Sequence, residues 1–161
     1  MTDYAGILRV LVHGGVDFIL IGGMAANFHG AIRSTSDVDV LYRRDAANVA
    51  RLAAAMQKVH PTLRGAPPGL PFKFDPRTIE RGLNFTLATD LGPVDLLGEV
   101  AGGGTYDALL EHSELGNVMG VECRCVDLDT LIKLKRAAGR PKDFEAIAEL
   151  EALREERDAM Q

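Results

Sequence analysis

The chain contains no tryptophan and only two cysteines, carries no excess of basic residues, and has no long apolar run. Each shortage removes a class of protein. Cys123 and Cys125 lie two apart in VECRCV, which reads as a strand, so both point to one face where an unstrained disulfide is hard to form. No second Cys or His pair with zinc spacing accompanies them, which leaves inert, partly buried thiols. No apolar stretch approaches the roughly 20 residues of a membrane helix. The opening MTDYAGILRV lacks the basic segment of a secretory signal, and a cytoplasmic protein is expected. A net charge of -5 argues against a general nucleic-acid coat. What remains is a chain of 161 residues with 47% hydrophobic and 25% charged residues, suited to a single domain over residues 1–161 with a substantial core.

Periodicity divides the chain into alternating elements. Ile7, Leu8, Leu11 and Val12 predict an opening helix closed by Gly14-Gly15. DFILIGG (17–23) reads as a strand, MAANFHG (24–30) as a brief helix and DVDVLY (37–42) as the next strand. Val49, Leu52, Ala53, Met56 and Val59 form one helical stripe behind a capping Asp45. Five of the seven prolines fall within residues 61–76, which predicts a surface loop without regular structure. LNFTLAT (83–89) and GPVDLLG (92–98) predict an antiparallel hairpin, followed by a short helix at YDALLEH and a strand at VECRCV. Two amphipathic helices, at about 128–138 and 143–157, close the chain around the breaker GRP. The order implies an α/β (α+β) fold, a mixed β-sheet flanked by helices; the hairpin disfavours a purely parallel sheet.

Asp37 and Asp39 share one face of their strand while Val38 and Val40 take the other. A bare D-x-D is often only a solvated strand face. In a sheet covered by helices, however, two neighbouring carboxylates repel unless a positive group intervenes, most economically a divalent cation held by oxygens. Asp95 interrupts GPVDLLG in similar surroundings and would join the pair if the two strands are neighbours. Three converging carboxylates suit Mg²⁺ or Mn²⁺, the ions of phosphoryl and nucleotidyl transfer. Gly22-Gly23, at a strand end before a helix, would let a triphosphate approach the backbone.

This arrangement resembles the nucleotidyltransferase superfamily that includes polymerase beta, with its Gly-Gly or Gly-Ser turn, D-x-D strand and third carboxylate. The matching positions are Gly22, Gly23, Asp37, Asp39 and Asp95. GGMAANFHGAIRSTSDVDVL is similar, more narrowly, to small prokaryotic nucleotidyltransferase-like proteins carrying G-G-x-A, H-G, R-x-T and D-x-D in that order, a group that includes relatives of type IV toxin-antitoxin toxins. DLLGEV and LIKLKRAAGRPKDFEAIAEL also resemble later segments of that group, so the likeness spans about residues 17–150. It implies a nucleotidyltransferase-like fold, a metal-dependent enzyme with an NTP substrate, and Asp37, Asp39 and Asp95 as both catalytic residues and metal ligands. The alternative is a non-catalytic module, or one half of a toxin-antitoxin pair that needs a cognate partner protein.

Other residues add detail. KLKRAAGRPK (133–142) holds five basic residues and no acidic one. Lys135 falls within the apolar face formed by Leu128, Leu131, Ile132 and Ala138, so it either snorkels out or meets a phosphate; Lys133 points to solvent. Arg33 would steady a phosphate or pair with an aspartate. Ser36 and Thr35 read as turn and strand-entry residues rather than catalysts, and Ser36 is counted with Gly22, Gly23, Arg33 and Lys135 among the nucleotide-binding candidates. His29 reads as packed or hydrogen-bonded, and Asp143 as a helix cap or a polar contact near the site. The acceptor is left open among tRNA, a protein and a small molecule; the acidic balance disfavours a large nucleic-acid footprint.

Overall fold

The computed structural model describes residues 1–161. Helix α1 (Tyr4–His13) begins at Asp3, whose carboxylate accepts the Gly6 N–H. Strand β1 (Phe18–Ile21) is buried throughout, as its unbroken apolar run requires, and passes directly into α2 (Gly22–Phe28). The two glycines are therefore the first residues of a helix rather than a separate turn. Strand β2 (Val38–Tyr42) follows, and Asp37 stands immediately before it. Helix α3 (Ala46–Gln57) is capped by Asp45 and buries Val49, Leu52, Ala53 and Met56 of its predicted stripe, while Val59, the fifth residue of that stripe, is buried beyond the end of the helix.

The proline-rich segment departs from its prediction. It opens with a two-residue strand, β3 (Thr62–Leu63), and leads into α4 (Pro76–Arg81), capped by Asp75 with proline in the first turn. Proline at that position costs no hydrogen bond because the N–H there has no intrahelical acceptor. The hairpin β4 (Phe85–Thr89) and β5 (Gly92–Leu97) forms as predicted. Helix α5 (Tyr106–Leu109) and a 3₁₀ turn precede β6 (Ser113–Val118), a strand that polarity concealed: Glu114, Leu115 and Asn117 are exposed on a sheet edge. Strand β7 (Val121–Val126), α6 (Leu128–Ala138) and α7 (Pro141–Ala159) complete the chain. Gly139 ends α6 in the left-handed conformation. The apolar face of α6 includes Leu134, while Ala138 is exposed.

The seven strands form one mixed sheet in the order β3-β4-β5-β2-β1-β7-β6. Strand β2 is parallel to β5 and β1 is parallel to β7; the remaining neighbours are antiparallel. Asn48, fully buried, stitches the core: it accepts from Asp17 N (2.7 Å) and donates to the Asp17 and Arg43 carbonyls (3.0 and 2.8 Å). Cys123 and Cys125 are buried and unpaired, and burial pushes both thiols above their ordinary range, away from nucleophilic use. No helix is long and apolar enough to cross a membrane.

Candidate active site

The register of the sheet builds the site. Ile21 of β1 lies opposite Asp39 of β2, Asp39 opposite Asp95 of β5, and Asp95 opposite Thr86 of β4. Partners directly across a ladder point to the same face, so Asp39 and Asp95 are side by side. Val38, Val40, Val94 and Leu96 alternate with them into the core. Asp37 completes the group: one oxygen from each of Asp37, Asp39 and Asp95 lies within 4.8 Å of the others. The sequence reading brought these three carboxylates together; Asp39 and Asp95 are on the expected strands, whereas Asp37, expected as the first residue of its strand, stands one residue before β2.

The cluster is electrostatically incomplete. Asp39 is pushed up from 3.8 to about 8, first by burial, then by the charge of Asp37 and by the hydrogen bond and charge of Asp95; Lys135 opposes the rise. Its Oδ1 is buried and has no hydrogen-bond partner. A buried orphan oxygen between two other carboxylates is the environment that a hard divalent cation satisfies, so the three side chains fit such an ion.

Gly22 has φ +73°, and a Cβ there would sit 2.1 Å from Asp39 Oδ2. Gly23 is confined in the same way, with a Cβ meeting Thr35 Oγ1 at 2.7 Å. The glycines thus admit the helix start against the carboxylate strand as well as leaving backbone open. Gly22→Ala is expected to lose roughly 2 to 4 kcal/mol of stability from left-handed strain and overpacking, measured by denaturant unfolding. A neutral result would mean that Asp39 moves freely.

Three cations surround the carboxylates, and the sequence singled out only one. Arg64, just beyond β3, donates from Nη2 to Asp95 Oδ1 and lies 4.0 Å from Asp37 Oδ2. It is fixed by β4, since its N–H donates to Thr86 O and its Nη1 to Leu87 O, both at 3.0 Å. On the other side Lys135, mostly buried, places Nζ 3.7 Å from Asp143 Oδ1. Asp143 is buried at the third position of α7, where it accepts from the Arg140 backbone and guanidinium. Burial would raise Asp143, but the Arg140 hydrogen bonds and the charges of Arg140 and Lys135 outweigh it and hold the carboxyl below its usual value. Asp143 is therefore both part of a helix cap and the residue that positions Lys135. Arg140 in turn is raised, first by Asp143, and it feels the charges of Asp39 and Asp37.

Arg33 goes elsewhere. It pairs with Glu149 of α7 (2.8 Å) and lies 3.7 Å from Glu145, so it joins the entry to β2 with the last helix. Ser36 is exposed, and its carbonyl accepts from Thr2 Oγ1 at 2.7 Å. His29 Nε2 is 2.7 Å from Val126 O, tying the end of α2 to β7. Lys133 is exposed.

Solved structures share this architecture. The lincosamide antibiotic adenylyltransferase LnuA, in its lincomycin-bound form, superposes with a TM-score of 0.60 at 14% identity, over 92% of this chain and 94% of that one. The fold is that of the nucleotidyltransferases. An antigenic nucleotidyltransferase-like protein from Paracoccidioides brasiliensis matches with a TM-score of 0.58 at 14% identity, over 92% of this chain and 72% of its own. No protein-family profile matches the sequence, and no curated protein does. Within the nucleotidyltransferase fold, the carboxylate cluster lies where β1 ends and β2 begins, beside the middle of β5 and at the start of α2.

Proposed function

We propose that this protein is a metal-dependent nucleotidyltransferase that moves a nucleoside monophosphate from an NTP to a hydroxyl acceptor and releases pyrophosphate. The observation that carries the reading is the row of carboxylates across β2 and β5, with a buried oxygen on Asp39 that nothing in the protein satisfies. Asp37, Asp39 and Asp95 would hold Mg²⁺ or Mn²⁺, which supplies Lewis-acid polarisation of the α-phosphate and counter-charge for pyrophosphate. The chain's own groups do the rest. Asp95 takes the proton of the acceptor hydroxyl as its oxygen bonds to the α-phosphorus and the bond to the β-phosphate oxygen breaks. The start of α2 at Gly22 and Gly23 leaves room for the triphosphate, and Lys135 and Arg140 neutralise its charge. Arg64, held by its hydrogen bonds to β4, orients Asp95. Arg33 and Ser36 contribute through the segment that delivers Asp37.

Incubation with each labelled NTP, Mg²⁺ or Mn²⁺ and fractionated cell extract tests the reading. Label that enters an acceptor with wild-type protein and not with Asp39→Ala supports it. Absence of any metal-dependent NTP binding by calorimetry overturns it. Arg64→Gln gives a finer check: kcat is expected to fall roughly 10- to 100-fold with little change in KM for the NTP, the signature of a misaligned carboxylate rather than a lost substrate contact. An equal rise in KM at constant kcat would instead assign Arg64 to NTP binding.

A further inference from the structure

A cavity of about 660 Å³ adjoins the carboxylate row without containing it. Tyr4, Met24, Phe28, Thr35, Val118 and Met119 form most of its wall. Thr35 is the shared partition: it faces the cavity, and its hydroxyl donates to the backbone carbonyl of Asp37 at 3.2 Å. That partition is built, since Tyr4 Oη donates to the Thr35 carbonyl and ties the start of α1 to it.

The lining is chemically selective. None of its nine residues is charged, although a quarter of the chain is. A triphosphate or a nucleic-acid backbone would find no counter-charge there, whereas a neutral molecule with an apolar body needs none. The volume falls within the roughly 300–1,000 Å³ of small-molecule sites. The polar groups are neutral: Asn27, Ser34, Thr35 and Asn117 line the wall beside five apolar or aromatic residues, and Asn117 accepts from Gly120 N (2.9 Å) with its carbonyl oxygen, which leaves its amide nitrogen to donate.

The rim adds an independent observation. Met119 and Gly120 join β6 to β7 with φ values of +52° and +84°. Two-residue turns of this kind favour Asn-Gly, because a side chain such as methionine is strained in the left-handed region. Met119 is nonetheless 60% exposed, so no core packing explains it. What the methionine does reach is the mouth of the cavity, and strain kept in a turn points to a use for the side chain it presents.

We propose that this cavity holds the acceptor, and that the acceptor is a neutral small molecule with an apolar body and a free hydroxyl. The proposal rests on the nucleotidyltransferase reading and narrows its substrate class.

Met119→Asp and Met119→Asn test it, because both substituents tolerate the left-handed turn; thermal unfolding confirms that the fold is kept. N-phenyl-1-naphthylamine, a neutral fluorescent probe, is expected to bind wild type and to lose roughly tenfold in affinity to Met119→Asp. Calorimetric affinity for Mg²⁺ with NTP is expected to be unchanged. Labelled NTP supplied with separate RNA, protein and ethanol-soluble small-molecule fractions is expected to label the last, with roughly tenfold lower kcat/KM in Met119→Asp. Equal probe affinity in wild type and variant overturns the proposal. A parallel loss of NTP affinity overturns it by assigning the cavity to the nucleobase. Label entering only RNA or protein, at equal rates in both forms, also overturns it. In all three cases NTP binding that Asp39→Ala abolishes keeps the nucleotidyltransferase reading intact; wild-type protein that binds no NTP removes both.

Discussion

Asp39→Asn is expected to reduce nucleotidyl transfer by on the order of 10³-fold or more while making the metal-free protein more stable at pH 8 and above. The two effects have one cause. Asp39 is central to the row, opposite both Ile21 and Asp95, and its Oδ1 has no partner in the protein. Burial and the two neighbouring carboxylates work against its ionised form. An amide of the same shape removes that charge and can donate to Asp95, so the native state is relieved of roughly 2 to 4 kcal/mol of repulsion and desolvation. The same amide is a poor ligand for a hard divalent ion. Urea unfolding without metal and a transfer assay with metal read the two consequences separately. A variant that loses activity and stability together would mark Asp39 as a structural residue.

How far the sequence reaches toward this site depends on the range of the interaction. Alternation within DVDVLY and GPVDLLG is local, and it put Asp39 and Asp95 on the correct faces of the correct strands. The mixed sheet and the helices of the last third were legible for the same reason, since apolar period and caps report on adjacent residues. Arg64 was not. It stands in a proline-rich segment with no period, and what brings it to Asp95, 31 residues away, is a two-residue strand paired to β4. Arg33 misled because its chain position beside the carboxylate strand suggests proximity, whereas its partner Glu149 lies 116 residues further on. Strand β6 was hidden by its own role: an edge strand carries polar residues that protect the sheet from pairing with others, and those residues read as loop. The Asp75-Pro76 start of α4 was readable, and proline density obscured it. Gly22 was noticed for the backbone it exposes; that its missing side chain also makes space for Asp39 could be seen only once β1 and β2 were paired.

The second large effect is on stability against pH, and a divalent cation should reverse it. In the unfolded chain Asp39 ionises near its ordinary 3.8, whereas in the folded protein it holds its proton to about 8, chiefly because of burial and then of Asp37 and Asp95. Between those values the native state binds more protons than the unfolded state, so this group makes stability fall as the pH rises. Above about 8 its contribution levels off with the repulsion fully expressed. A bound cation replaces the proton as counter-charge. At a hundred times its dissociation constant, Mg²⁺ or Mn²⁺ adds about 2.7 kcal/mol, which for a chain of this size is an increase of roughly 5 to 10 °C in Tm. The increase is expected in full above pH 8 and to shrink toward pH 6, where the ion must first displace the proton on Asp39. Thermal unfolding at the two pH values, with and without the ion, measures it, and Asp39→Asn is the control that should show little of either trend. An equal response in the variant would place the bound ion elsewhere on the protein. Stability of metal-free wild type that rises through the window, and exceeds that of Asp39→Asn at its upper end, would mean that the carboxylates are already neutralised by Arg64, Lys135 and Arg140, and that the site is built to hold its own cations rather than a metal.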